Sequence, residues 1–370
     1  MDKLEWNRPR FKKILGESWP EKDPIQESWF IKVNDPVNGN AIWLKFTAMN
    51  NLKFQKADYE AWAMIFPTDK KENSVLAFKE LYESVESLFE RSLGFTINGC
   101  IPVETFKLTI GGCTFVQEDN QTIVTKGKLK SKNGSVEWDL TLKDSSSPLL
   151  LFPFEGLYNG AFPKRKPVSP FPNALANGEV IVQVDSKKTK YTFNNAPAMQ
   201  GHNWGSEHSY RYVWSHINYF EEFGTDVVFE GYSGKIKVGP FVTPWITGLA
   251  LRFTGSAYAK TNVKEILFLD IASMLSNSAK VDYQNFLWQF EGKKGDYKLK
   301  GMIQADSDKI AGLNYDDPDG KRNYCYNSKT ASAKITLFYK NKELLVMSTK
   351  NTAAIELLTD NKHTAVPVLV

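Results

Sequence analysis

Short bursts of aromatic and β-branched residues recur along almost the whole chain, and each burst ends near glycine, asparagine, aspartate or proline. Such bursts favour β-strands, because these side chains fit the pleated surface of a sheet and the intervening residues favour turns. Their spacing is typical of antiparallel sandwiches or barrels. The strands form two comparable sets, so we predict a mainly β protein with two β domains, residues 1–208 and 209–370.

The composition narrows the class of protein. Hydrophobic residues at 42% and charged residues at 24% match the average for globular proteins and exclude disorder, collagen and coiled coil. The 46 basic and 42 acidic residues are spread along the chain, so no concentrated positive field predicts a nucleic-acid partner. Three widely spaced cysteines favour a reducing compartment. With no apolar run that would make a signal peptide or a membrane span, we expect a cytoplasmic protein.

Two segments depart from the strand pattern. Residues 74–93 place apolar side chains at three-and-four spacing from Val75 to Phe89, behind Ser74 as N-cap and ahead of Gly94. This pattern predicts an amphipathic helix packed on the first sheet. Residues 153–177 contain five prolines and a basic run, which predicts a long surface connection that acts as a hinge or a lid.

The histidines are clustered. The chain has only four, and three of them, His202, His208 and His216, lie within fifteen residues. A strand beginning at Tyr210 would turn alternate side chains to one face, with His208 on the same side. That face would carry Tyr212, Trp214, His216 and Asn218.

Three interpretations of this cluster remain open. The mixture of rings and hydrogen-bonding groups suits the wall of a ligand cavity, with His208 as a further ligand contact and Asn203 and Trp204 holding the corner of the cavity. In a structural alternative, Trp204 plugs the mouth of a barrel, Asn203 bonds turn backbone, and the histidines are satisfied core groups. A zinc site made from the histidines and Glu207 is the third, but the spacing matches no usual ligand pattern, so we expect no metal.

A second dense patch follows residue 313. Asp317-Pro-Asp-Gly320 is a strong turn signal, and a calcium loop is excluded because Ser328 stands where such a loop needs glutamate. We predict a hairpin that leads Cys325 and Asn327 into a strand, with a contribution of Asn327 to a ligand pocket at the domain interface as the alternative. Signatures of dinucleotide oxidoreductases, NTPases, α/β-hydrolases and zincins are absent from the sequence.

Three motifs resemble a known family. Asn203-Trp-Gly205 followed by Tyr212-Val-Trp-Ser-His-Ile-Asn218 resembles the N-W-G…W-x-W-x-Q-x-N corner of tocopherol cyclase-like proteins, whose relatives are carotenoid 1,2-hydratase (hydroxyneurosporene synthase), AttH-like proteins and lipocalin-like fungal Diels–Alderases. Glu27-Ser-Trp29 resembles the family's opening strand, and Tyr324-Cys-Tyr-Asn-Ser328 resembles a late C-x-N-S strand. The resemblance implies two tandem lipocalin-like barrels with the corner at the seam between them.

The resemblance also implies a chemistry. Family members hydrate, cyclise or isomerise isoprenoids, or close rings, without metal or redox cofactor, so we expect a lyase or isomerase acting on a hydrophobic isoprenoid- or polyene-like molecule. This chain has Gly201 and His202 where the family has an acidic residue and lysine, and His216 where it has glutamine. The candidate acids are therefore Glu207, His202 and His216. The alternative is a carrier that keeps the fold without the reaction.

Overall fold

The computed structural model describes residues 2–15, 17, 23–68, 75–96, 99–132 and 134–370. Most of these residues lie in antiparallel strands, as predicted. The described helices are short: α1 (Lys3–Asn7), α2 (Gly255–Thr261) and α3 (Ile271–Ser276), with 3-10 turns at Lys12–Leu15, Glu155–Tyr158 and Ser307–Lys309. Within the described residues no helix has the length and apolar character needed to cross a bilayer.

The first sheet is antiparallel throughout, in the order β4-β3-β2-β1-β12-β11-β9-β8-β7-β6-β5, with β10 beside β11. Its strands are β1 (Gln26–Asn34), β2 (Ala41–Asn51), β3 (Lys56–Phe66), β4 (Leu76–Tyr82), β5 (Glu86–Thr96), β6 (Gly99–Ile110), β7 (Cys113–Gln117), β8 (Thr122–Ser131), β9 (Gly134–Lys143), β10 (Leu149–Leu150), β11 (Arg165–Val184) and β12 (Lys187–Gly205). The sheet curls until β4 lies against β8, where the Lys130 amide donates to Glu80 Oε1 at 2.6 Å.

The second sheet repeats this plan in the order β18-β17-β14-β13-β24-β23-β21-β20-β19, with β22 beside β23. Its strands are β13 (Arg211–Ile217), β14 (Val227–Lys235), β17 (Ile246–Phe253), β18 (Glu265–Phe268), β19 (Ser278–Asp282), β20 (Leu287–Lys294), β21 (Tyr297–Gln304), β22 (Ala311–Asp316), β23 (Arg322–Tyr339) and β24 (Lys342–Thr359), and β15 (Lys237–Val238) and β16 (Phe241–Val242) form a separate ribbon. Residues 206–210 join the two sheets. β22 and β23 form the hairpin predicted around Asp317.

Strands in the middle of each sheet are buried on both faces. In β1, Trp29 and Ile31 point into the core enclosed by the first sheet, whereas Phe30 and Lys32 point to the opposite face. The same alternation sends Val213 of β13 into the core of the second sheet and Trp214 to the opposite face. Each sheet is therefore a closed apolar unit that keeps a second, outward face for its partner.

The N-terminal segment fills the interior of the first barrel. Leu4, Phe11 and Ile14 belong to its apolar core. The Asn7 side-chain amide donates to Gln117 Oε1 at 2.8 Å and to Gln200 Oε1 at 2.9 Å. The barrel interior is thus occupied by the protein's own side chains, and its polar groups are hydrogen-bonded to one another.

The predicted helix over residues 74–93 is wrong. Residue 74 lies outside the described part of the chain, and the residues after it form β4 and β5, which pair with β3 and β6. Phe78 and Tyr82 reach the barrel core from the same face of β4, while Leu81 is 56% exposed. Apolar residues at positions 76, 78 and 82 fit the two-residue period of a strand as well as the period of a helix. The segment forms a strand because it pairs with the free edge of β3.

The prolines of residues 153–177 do not make a surface connection over their whole length. From Arg165 onward the segment is β11, which pairs with both β9 and β12 and is largely buried. Pro170 and Pro172 fall at register shifts between Val168 and Phe171 and between Phe171 and Ala174. Proline is tolerated at such bulges because the ladder needs no donor there.

Candidate functional site

The outward faces of the two sheets pack on each other along an interface that we call the seam. Two apolar clusters cross it and combine residues of both sheets. In one, Trp43 and Trp62 meet Leu313 and Tyr315; in the other, Met199 meets Trp214. The seam also buries a set of ionisable side chains: Lys32, Lys45, His208, His216, Glu230, Asp317, Lys329 and Glu356.

The structure brings Tyr212, Trp214 and His216 of β13, and Asn218 just after its end, to the seam. The Trp214 ring lies edge-on to Phe30 of the first sheet, with centroids 5.7 Å apart. His216 Nε2 lies 2.8 Å from the Pro172 carbonyl oxygen, and the Asn218 amide donates to the Ala198 carbonyl at 2.8 Å. Tyr212 packs against both apolar clusters. Strand alternation therefore placed these side chains on one face, as expected.

Glu230 of β14 is the acid at this site. It is 1% exposed and lies directly opposite His216 across the β13–β14 ladder. Its Oε1 accepts hydrogen bonds from Trp214 Nε1 at 3.0 Å and Ser169 Oγ at 2.9 Å, while Oε2 is buried with no partner among the described residues. Burial raises the pKa of Glu230 to about 7. In the neutral form of Glu230 the proton lies on Oε2, because Oε1 already accepts two hydrogen bonds.

His216 complements that acid. Its Nε2 faces a carbonyl oxygen and so carries the ring proton, which leaves Nδ1 as a bare lone pair. Nδ1 is buried and has no partner among the described residues. Burial, and then the charge of Lys32, keep the pKa of His216 well below its ordinary value. A neutral acid and a neutral base thus occupy neighbouring positions.

Buried cations hold the centre of the seam. Lys329 Nζ lies 2.8 Å from Glu356 Oε1, which also accepts from the Asn327 amide at 2.8 Å. The same ammonium lies 5.4 Å from the centroid of the Trp214 ring. Lys32 of the first sheet reaches Asn218 Oδ1 at 3.3 Å, and burial lowers its pKa well below the ordinary value. Asn327, for which the sequence left a contribution to a ligand pocket open, supports the ion pair of Lys329 and Glu356.

A third group lies at the other end of the seam. His208 is 4% exposed, and its Nδ1 donates to Asp317 Oδ1 at 2.6 Å. Burial, with Arg165 nearby, lowers the pKa of His208 to about 4, so the imidazole is neutral. Its Nε2 has no partner among the described residues. Asn203 accepts a hydrogen bond from Arg165 here.

His202 and Trp204 lie on the opposite face of β12. Both ring nitrogens of His202 are engaged, Nδ1 with the Trp6 carbonyl at 2.6 Å and Nε2 with Glu27 Oε1 at 2.8 Å. Its ring stacks on Trp29, with centroids 4.8 Å apart. Trp204 packs with Trp6 and belongs to a cluster outside the seam. Neither residue reaches Glu230, and His202 has no nitrogen free for proton transfer.

Glu207 lies at the surface. Its side chain is 46% exposed, and its Oε1 is ion-paired with Lys164 at 2.8 Å. The three clustered histidines also separate, since His202 faces Glu27, His208 faces Asp317 and His216 faces Pro172. Of the three predicted acids, Glu207, His202 and His216, His216 is the one at the seam. There it lies opposite Glu230, whose Oε2 has no partner among the described residues.

A cleft of about 600 Å³ opens beside the Glu230 end of the seam and is lined by both halves of the chain. Pro172, whose carbonyl meets His216, and Val228 form part of its wall. Val228 lies two residues before Glu230 on β14, on the same face of the strand. The spacing places Glu230 about 7 Å beyond the cleft wall.

The sequence pattern missed Glu230 and the lysines. Glu230 stands alone among apolar residues in Val227-Val-Phe-Glu-Gly-Tyr232. Charged residues almost never occupy a doubly buried strand unless they are paired or functional, so this isolated carboxylate was a readable signal. Lys32 gave the same signal, because it stands between Ile31 and Val33, whereas Lys329 gave none, because it stands between Ser328 and Thr330.

About half of the chain matches the model of a known protein family. The family model described as tocopherol cyclase-like matches residues 170–358, from within β11 to the end of β24. An uncharacterized protein of Mycobacterium tuberculosis strain H37Rv, Rv0493c, is 23% identical over 216 residues, which is 57% of this chain and 58% of that protein. The match therefore spans less than two thirds of this relative's length.

Solved structures share the architecture. The crystal structure of CghA superposes with a TM-score of 0.60 at 9% identity, covering 92% of this chain and 90% of that one. The crystal structure of CghA with Sch210972 gives a TM-score of 0.59 with the same coverage. A putative AttH from Nitrosomonas europaea gives 0.50 at 12% identity, covering 95% and 96%. At such identities the likeness shows the fold, two tandem lipocalin-like barrels.

Proposed function

Because this chain belongs to the tocopherol cyclase-like family, we propose that it transforms a hydrophobic, isoprenoid- or polyene-like small molecule at the seam. The reaction is proton-initiated hydration, cyclisation or isomerisation of a carbon–carbon double bond. The observation that carries the proposal is the free Oε2 of the neutral Glu230 carboxyl, directly opposite His216 on the neighbouring strand. Acid and base each keep one buried atom without a partner among the described residues, Glu230 Oε2 and His216 Nδ1, which is costly for a purely structural pair.

Glu230 is the proton donor in this proposal. Its pKa of about 7 matches the pH at which a general acid transfers protons most effectively. Protonating one carbon of a double bond leaves positive charge on the other carbon and negative charge on the Glu230 carboxylate. Ser169 and Trp214 then stabilise that carboxylate through their bonds to Oε1.

Aromatic rings and His216 complete the reaction. The ring faces of Trp214 and Phe30 are suited to stabilise the cation through their electron density. In hydration, water adds to the cation and its proton passes to His216 Nδ1. In cyclisation or isomerisation, the same nitrogen removes a proton from carbon. His216 then releases its proton to solvent and solvent returns one to Glu230, so the enzyme is regenerated without any other reactant.

The cleft beside Pro172 and Val228 is the entrance in this proposal. A substrate entering there passes Val228 and meets Glu230 and His216 before it meets Trp214. The volume of about 600 Å³ lies within the usual range of small-molecule pockets. The cleft also has residues from both halves, so ligand binding would bridge the two barrels.

Untargeted conversion tests the proposal with a mixture of candidate substrates. An organic extract of the source cells is incubated in heavy water with wild-type protein, Glu230→Gln or the surface control Glu207→Gln, and analysed by mass spectrometry. We expect compounds that gain deuterium, with or without the mass of water, in the presence of wild type and Glu207→Gln. Glu230→Gln should convert them at least about a hundredfold more slowly, which is the usual loss for a general acid.

Conversion by Glu230→Gln at the wild-type rate would overturn this assignment of the acid. A protein that converts nothing but co-purifies with a hydrophobic molecule, seen by native mass spectrometry, would support the carrier alternative. In that case the same residues shape a binding site without a reaction.

A further inference from the structure

The seam has two chemically different ends. Glu230 and His216 lie at one end, and Tyr212, four residues earlier on β13, lies at the other. Four residues of strand span on the order of 13 Å. The Tyr212 end holds two cations and a histidine that the proposed reaction does not use.

Lys45 is a buried cation without a counter-ion. It is 4% exposed, and its Nζ lies 3.9 Å from the centroid of the Tyr315 ring and 5.3 Å from that of Trp62. Among the described residues no carboxylate lies within ion-pair distance of this ammonium, and no acceptor lies within hydrogen-bond distance. Ring faces only partly replace the hydration that such a charge loses on burial.

Arg165 is the second cation. Its guanidinium donates to the Gln26 carbonyl at 3.3 Å, to Gln26 Oε1 at 3.1 Å and to Asn203 Oδ1, all of which are neutral acceptors. Among the described residues it makes no ion pair. Arg165 and Lys45 are near enough for each to act on the charge of the other.

The carboxylates around Lys45 and Arg165 already have partners. Glu356 is paired with Lys329 at 2.8 Å, and Glu60 with Lys79 at 2.8 Å. Asp317 accepts from His208 at 2.6 Å and from the Asn323 amide at 2.9 Å. Glu27, whose charge also acts on Arg165, is held by His202 at 2.8 Å. Among the described residues, none of these carboxylates lies within ion-pair distance of the Lys45 ammonium or the Arg165 guanidinium.

His208 marks the same place independently. Its Nε2 is buried, unprotonated and without a partner among the described residues, and its ring lies 5.4 Å from that of Tyr315. A bare acceptor beside two unpaired cations is a poor arrangement for an empty core. A polar group of a bound molecule would satisfy both.

We infer that the Tyr212 end of the seam binds the carboxylate of an elongated hydrophobic acid, between the Lys45 ammonium and the Arg165 guanidinium. The inference rests on the proposed function for the apolar part of the ligand. It adds that the substrate is an acid, whose charge is held on the order of 13 Å from the double bond that Glu230 protonates. His208 Nε2 accepts a hydrogen bond from a hydroxyl group of the ligand or from an accompanying water.

This end of the seam reaches solvent, because Arg165, Asn203 and Tyr212 are each partly exposed. A carboxylate held here keeps part of its hydration and still meets two cations. Such charge-assisted bonds are the strong ones in protein–ligand contacts.

Two molecules that share one polyene and differ only in the head group test the inference. All-trans-retinoic acid and all-trans-retinol are titrated into the wild-type protein, and binding is followed by quenching of tryptophan emission. Trp43, Trp62 and Trp214 all lie at the seam. We expect the acid to bind at least about tenfold more tightly than the alcohol.

Variants then locate the preference. Lys45→Gln and Arg165→Gln should bring the affinities for the acid and the alcohol to within about threefold of each other, mainly because the acid binds more weakly. Lys45→Arg keeps the positive charge and should keep the preference for the acid. Lys126→Gln, which removes an exposed lysine of the first barrel, is the matched control and should change neither affinity. Arg165 is only partly buried, so its variant remains informative if Lys45→Gln does not fold.

The outcomes separate the two proposals. Equal affinities for acid and alcohol in the wild-type protein would overturn the carboxylate site and leave the hydrophobic binding proposal standing. A preference that survives both Gln variants would place the carboxylate elsewhere and would also overturn it. Binding of neither molecule would count against the proposed ligand class itself.

Discussion

The interior of the first barrel and the seam both bury polar side chains, yet these side chains are paired in the interior and partly unpaired at the seam. In the interior, His202 has a partner for each ring nitrogen and stacks on Trp29. At the seam, His216 and His208 each keep one buried nitrogen unpaired, as does Glu230 with Oε2. Paired polar groups specify a structure, whereas unpaired ones are retained only if something else uses them. The comparison therefore distinguishes His202, a scaffold histidine on β12, from His208 and His216, each of which keeps the unpaired nitrogen that a ligand could use.

Trp204 belongs to the scaffold, and its replacement by alanine should have the largest effect on stability. The ring is 6% exposed and packs on Tyr158, 5.9 Å between centroids, and on His202. We expect a loss of about 3–5 kcal/mol in the free energy of unfolding, measured with urea, because the substitution leaves a cavity. Binding of retinol by the folded fraction should not change. A loss below about 1 kcal/mol would show that this corner contributes little packing.

Glu230→Gln should change the pH dependence of stability. The folded protein holds a proton between the ordinary glutamate pKa of 4.5 and the raised value of about 7, while the unfolded chain has lost it. Wild-type stability should therefore fall as pH rises through this window, by about 3 kcal/mol in total. Glutamine cannot titrate, so the variant should lack this component. Urea unfolding at pH 5 and pH 8 measures this pH-dependent component. A free energy of unfolding that changes with pH equally in the wild type and the variant would contradict a buried neutral carboxyl.

His216→Gln should have a smaller effect on stability than either. The glutamine amide can still donate towards the Pro172 carbonyl, so the free energy of unfolding should change by about 1 kcal/mol. The variant lacks a nitrogen base, however, and should lose turnover of the compounds that the wild type converts. A variant with unimpaired turnover would show that another group removes the proton.

Glu207→Gln should have the smallest effect. Its ion pair with Lys164 is about half exposed, and such pairs contribute roughly 0–1 kcal/mol. Melting temperature, retinoid binding and turnover should all match the wild type. A hundredfold loss of turnover would return Glu207 to the role of acid that the sequence suggested.

Local rules predicted part of this comparison. Alternation along β13 was enough to place Tyr212, Trp214, His216 and Asn218 on one face, because the period of a strand does not depend on its partners. The face that Glu230 shares with His216 depends on the register between β13 and β14, which only the folded sheet determines. The helix over residues 74–93 failed for the related reason that tertiary pairing outweighed a local apolar period.

The pairing of β1 with β12 bears on how this protein is made. Gln26 lies beside Gly205, and Tyr324 of β23 lies beside Thr359 of β24, so each sheet is completed only by late residues. Contacts between residues so distant along the chain form slowly. On the ribosome the first barrel can close once residue 205 has emerged, but the outward face of the second is complete only near residue 359. A chain that ends before β24 therefore lacks part of the outward face on which the seam forms.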